Sequence, residues 1–165
     1  MDLAGGVRLR DDHAFEQRKA TVAAILDDLG PIRDEDSGKR DEVRLFEIAV
    51  DAPEPQLVVR ARFRYLEWWN RDGRGWRLAK YQYDYIDLIE GSRLAYHRHD
   101  LPGDANRPHA HCKPPDRPPR TSHYRAYEVD LLEAHEEFVS LYSSGRPVNC
   151  AGLRPLRDTG EGADV

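Results

Sequence analysis

From Leu57 to His99 the side chains alternate in long runs between apolar and polar or charged, and a period of two is the signature of extended strands rather than helix. In Leu57–Leu66, Val59, Ala61, Phe63 and Tyr65 fall on one side and Arg60, Arg62 and Arg64 on the other. The run Asn70–Gly75 has turn composition, so this strand pairs as a hairpin with Trp76–Leu88. Glu90-Gly91-Ser92 turns the chain again into a strand from Arg93 to about His99. Val43–Val50 supplies an earlier strand, which Ala52-Pro53-Glu54-Pro55 breaks. The pattern predicts an antiparallel meander of about four strands. In its second hairpin, a three-residue loop Ile89-Glu90-Gly91 sets Ile86 opposite Leu94, Tyr83 opposite His97 and Tyr81 opposite His99. One face is then apolar and the other carries tyrosine and histidine.

Two helices flank this sheet. Asp11 or Asp12 caps a helix that presents Phe15, Val22, Ile25, Leu26 and Leu29 on one face, and Gly30-Pro31 ends it. Asp130 with Glu133 forms a capping signature ahead of the stripe Leu131, Leu132, His135, Phe138, Val139 and Tyr142, which Gly145 and Pro147 stop. Residues 33–42 are nearly all charged or small and read as a solvated loop. Residues 100–122 hold six prolines and read as irregular, apart from an extended piece at His109–Cys112. The expected fold is α+β, one domain over residues 1–148 with both helices on the apolar face and a flexible tail over 149–165.

No apolar run nears the ~18 residues of a membrane helix, and the first residues lack the basic start and apolar block of a signal peptide. With only Cys112 and Cys150, no disulfide framework is implied, and a reducing cytoplasm is the expected setting. The net charge of −5 hides an asymmetry. Residues 60–127 carry 14 basic and 8 acidic side chains, between acidic ends. Either the three parts neutralise one another within the fold, or the middle block is a surface for a polyanion.

Four of the seven histidines form two H-x-H pairs, His97-Arg98-His99 and His109-Ala110-His111. In extended chain, residues i and i+2 point the same way, so each pair delivers two imidazoles to one side. Three readings follow. The histidines are a polar sheet face without a role; or they bind zinc or another divalent metal, with Cys112 or an aspartate as further ligand; or they perform metal-free acid–base chemistry on a phosphodiester near neutral pH. In the last, His97, His99, His109 and His111 exchange protons, Tyr83 assists, and Arg60, Arg62, Arg64 and Arg98 hold RNA phosphates. His13 and His135 lie in helices, His123 lies in a loop without support, and Trp68-Trp69 reads as core and strand end.

Residues 57–142 resemble the TumE-like toxins of prokaryotic toxin–antitoxin pairs. The likeness lies in Tyr81-x-Tyr83-x-x-x-Asp87, Leu94-x-Tyr96, His109-x-His111, an aromatic element at Tyr124 to Tyr127, and the helix from Leu131-Leu132 to Phe138. His97, His99 and residues 1–50 are additional to that pattern. The resemblance implies a small toxin that attacks RNA and is held by a cognate antitoxin, of which a helix-turn-helix protein is one form. The residue pattern also leaves open a metal-dependent hydrolase and a non-catalytic interaction protein.

Overall fold

A computed structural model of the protein describes residues 7–40, 42–53, 59–101, 104–115, 122–125 and 128–155. The alternation carries through into one antiparallel sheet, but a larger one than the four strands it predicts. The strands are β1 (Arg8–Leu9), β2 (Ile32–Arg40), β3 (Val43–Pro53), β4 (Val59–Asp72), β5 (Gly75–Asp87), β6 (Ser92–Leu101), β7 (Asp104–Lys113), β8 (Ser122–Arg125) and β9 (Arg154–Pro155). Strands β2 to β9 lie side by side in chain order, and β1 adds to β5. Helix α1 (Asp12–Asp27) precedes β2 and helix α2 (Leu131–Ser144) follows β8.

The helices begin and end where their caps require. Asp11 accepts from the Ala14 N–H at 2.8 Å, and Asp130 accepts from the Glu133 N–H at 2.9 Å, each satisfying a donor at a helix start. Gly145 ends α2 with φ of 62°, a left-handed conformation that glycine adopts without penalty. Both helices pack on one sheet face. Phe15 of α1 meets Phe46 and Trp69 edge-on, while Phe138 of α2 stacks near Tyr85 and Tyr96. Leu132, placed in the apolar stripe by its sequence, is 54 % exposed; Leu131, Ala134 and Phe138 carry the packing instead.

The helix-facing side contains a fully buried acid, Glu67. Glu67 of β4 accepts from Arg18 of α1 (2.8 and 3.3 Å), the Trp69 indole (3.1 Å) and the Tyr83 hydroxyl (2.8 Å). Four donors on two oxygens leave no unsatisfied lone-pair direction of consequence, which is the condition under which a buried carboxylate is tolerated.

Four expectations need correction. The tyrosines do not share a face with the histidines. The β5–β6 register opposes Tyr83 to Tyr96, Tyr85 to Leu94 and Gln82 to His97, one residue away from the predicted pairing. The register follows from the turn, where Asp87 pairs Ser92 and the loop is Leu88 to Gly91; which side of β5 faces the core is decided upstream. The β4–β5 ladder shifts between Trp68 and Trp69, so that Trp68 pairs Lys80 while Trp69 pairs Leu78, leaving Ala79 as an extra residue. Such a bulge switches which parity faces the core, and Trp76, Leu78, Tyr81, Tyr83 and Tyr85 are all buried together.

Residues 33–40 form β2 rather than a loop; as the sheet's outer strand they can remain charged, since edge strands commonly are. The proline-rich stretch after His99 is also not irregular at its start, because β7 runs from Asp104 through Pro108 to Lys113 and pairs with β6. Finally, Cys112 and Cys150 are joined in a disulfide. That link, with β9 on β8, anchors the segment expected to be a loose tail as far as Pro155. Residues 156–165 of that tail lie outside the described residues. A denatured, unreduced sample is accordingly expected to show no thiol reactive to a thiol-specific reagent, and two after reduction. Two reactive thiols before reduction would contradict the link.

Candidate metal centre

The sheet face away from the helices is polar. Along β5 it carries Gln82, Asp84 and Ile86; along β6, Arg93, Ala95 and His97; along β7, His109 and His111, as the register and the alternation of strands require. No described helix covers it. His97 sits directly opposite His109, and His111 directly opposite His123 of β8. The two H-x-H pairs therefore meet because they occupy neighbouring strands of one hairpin, not because a loop folds back.

One donor nitrogen from each of His97, His99, His109 and His111 lies within 4.8 Å of every other. His109 Nε2 and His111 Nε2 are 3.0 Å apart. A tetrahedral zinc with bonds of 2.0–2.1 Å separates its donors by about 3.4 Å, a spacing of the same order as that of these nitrogens. His97 is 4 % exposed, His109 0 % and His111 9 %, while His99 is partly open to solvent. His123, also half-buried, adds a fifth ring with its centroid 4.4 Å from that of His111.

Asp84 stands behind His97. Buried in β5, it accepts from His97 Nε2 at 3.1 Å and from Arg93 Nε and Nη2 at 3.1 and 2.5 Å, with Arg64 Nη1 at 3.9 Å. Burial pushes its carboxyl up, but the His97 hydrogen bond and the charge and hydrogen bonds of Arg93 outweigh this and hold it below the ordinary carboxylate range. Burial lowers the pKa of His97, against the opposing pull of Asp84. His111 falls to about 2, first from burial and then from His97, His123 and His109 around it. These two rings are neutral near neutral pH, the form in which imidazole binds a metal.

The other sequence-predicted residues scatter. Tyr83 faces the helices, hydrogen-bonded to Glu67 and stacked on Tyr81 at 4.7 Å, so it lies on the opposite face from the histidines. Arg98 also points to the helix side, paired with Glu128 at 2.9 Å. The Arg60 guanidinium lies over the Tyr142 ring of α2. Arg62 and Arg64 do share the histidine face, where Arg62 is bound to Asp51 and Arg64 to Glu47. The arginine stripe is therefore split, and the members on the site's face carry carboxylate partners. His135 bonds the Tyr65 hydroxyl at 2.9 Å, and His13 is exposed.

Sequence reading missed Asp84, Arg93 and His123 as neighbours of the site. Their signal was positional: Asp84 is two residues from the register partner of His97, and only a correct register reveals it. Among the described residues, no helix is long and apolar enough to cross a membrane. Comparisons with family models, curated proteins and solved structures find no match, and the reading of this centre rests on its own geometry.

Proposed function

We propose that the protein is a divalent-metal-dependent hydrolase that cuts a phosphodiester, acting on RNA as the toxin of a toxin–antitoxin pair. The observation that supports the metal is the convergence of four imidazole nitrogens within 4.8 Å. A donor set of imidazoles alone suits zinc, cobalt, nickel or copper and disfavours magnesium and calcium, which take oxygen ligands. Metal-free acid–base chemistry fits less well, because its imidazoles must reach the substrate and His109 has no exposed surface.

Held by three of these imidazoles with a position left open, a bound divalent ion would polarise a phosphoryl oxygen and lower the pKa of an attached water. The partly open edge at His99 and His123 is where water and substrate would enter. Of the substrate, two observations favour RNA: the basic block over residues 60–127, and the resemblance to TumE-like toxins.

The test loads purified protein with zinc, removes excess, and measures metal content and RNA cleavage together. One ion per chain and cleavage that is lost on chelation and restored by metal are expected. Undiminished cleavage by protein free of metal would return the site to acid–base chemistry. Stoichiometric metal without cleavage of any RNA would leave a binding protein.

A further inference from the structure

Asp84 has a more specific role open to it than neutralising arginines. An ionised carboxylate can only accept hydrogen bonds, so the His97 nitrogen that faces it, Nε2, must carry the proton. In a neutral ring the lone pair then resides on Nδ1. That atom is buried and has no hydrogen-bond partner among the described residues, on a side chain 4 % exposed. A buried acceptor left empty costs free energy unless something fills it, and His97 is one of four histidines whose donor nitrogens, one from each, lie within 4.8 Å of one another.

We propose that Asp84 is the positioning residue of the metal centre: it fixes the tautomer and rotation of His97 so that Nδ1 is the nitrogen given to the ion. The inference rests on the metal reading above and adds to it which atom binds and what holds it there. Arg93 completes the arrangement. Its two hydrogen bonds fall on Oδ1, the same Asp84 oxygen that faces His97, and hold it in place, while Arg64 adds positive charge 3.9 Å from Oδ2. This ordering, from arginine through carboxylate and imidazole to metal, is the physical pattern by which outer groups set ligand direction and basicity.

A purely structural Asp84 would leave metal affinity alone once the fold is intact. The two roles separate in a titration of wild-type and Asp84→Asn protein with cobalt(II) and with zinc(II). The variant keeps the side-chain volume but gives up the carboxylate's charge and its strength as an acceptor. We expect metal affinity to fall about 10–100-fold and the visible cobalt spectrum to change, with the far-ultraviolet circular dichroism of the metal-free variant unchanged. Equal affinity in the two folded proteins would overturn the role of Asp84 while leaving the centre itself standing. No metal binding by wild-type protein would instead remove the centre.

Should Asp84→Asn not fold, nitrogen-15 spectra of the wild-type histidines decide the same point. Zinc should shift His97 Nδ1 strongly while Nε2 keeps its proton. A zinc-bound Nε2 would overturn the proposal.

Discussion

Induced alone in a bacterial host, the protein is expected to arrest growth and degrade RNA, and the His109→Ala/His111→Ala double variant is expected to do neither. The double change removes two of four donors and leaves fewer than the three protein ligands that catalytic zinc sites keep. Metal polarisation is worth several kcal/mol in the transition state, and about 4 kcal/mol is about 10³-fold in rate. RNA cleavage by the purified variant should therefore drop at least about 10³-fold. Both positions lie inside the β6–β7 and β7–β8 ladders, whose backbone pairing does not depend on these side chains. Circular dichroism should accordingly report a folded variant. Growth arrest of the same strength in the double variant would reject the histidine centre as the source of toxicity.

Glu67→Ala is expected to destabilise the fold by about 3–5 kcal/mol, the usual cost of removing one partner from a buried ion pair. The carboxylate has no exposed surface, and its loss strands the Trp69 indole, the Tyr83 hydroxyl and the Arg18 guanidinium at once. For a chain of this length about 1 kcal/mol moves the melting temperature by roughly 2–4 °C, so a fall of about 10 °C is the expected reading. Arg18→Ala should also destabilise strongly, because it leaves the fully buried Glu67 carboxylate without its cation. Tyr83→Phe removes a single hydrogen bond and should cost about 1 kcal/mol. A melting temperature unchanged in Glu67→Ala would mean that this network does not fasten α1 to the sheet.

Both helices were legible because their signals are local. A cap, a stripe and a stop lie close together along the chain in each, and Asp11, Asp130 and Gly145 act where the pattern places them. The strands β3 to β6 were legible from alternation and turns. What alternation cannot show is a residue that breaks it: Ala79 is small and neutral enough to sit on either side, yet its bulge decides which face Tyr83 joins. The outer strand β2 escaped for a different reason. It has one neighbour and need not be apolar, so its charged residues look like loop. Prolines concealed β7, although the sheet holds Pro108 opposite Arg98. Pairing of Cys112 with Cys150 is a matter of tertiary distance, on which a spacing of 38 residues is silent. At the site, the H-x-H pairs were readable as pairs, whereas Asp84 and Arg93 depended on register.

The four imidazoles belong to a single hairpin, which has a kinetic consequence. Helix α1 reaches its partner Trp76 across some sixty residues of chain, but His97 and His109 face each other as soon as β6 and β7 zip together. A hairpin closes in about 1–10 μs, whereas long-range docking must first overcome the entropy of a larger loop. The donors can therefore assemble before the aromatic core does. An ion captured at that stage would clamp the two strands in register while the rest of the sheet is still forming, making the metal a template for folding as well as a reagent.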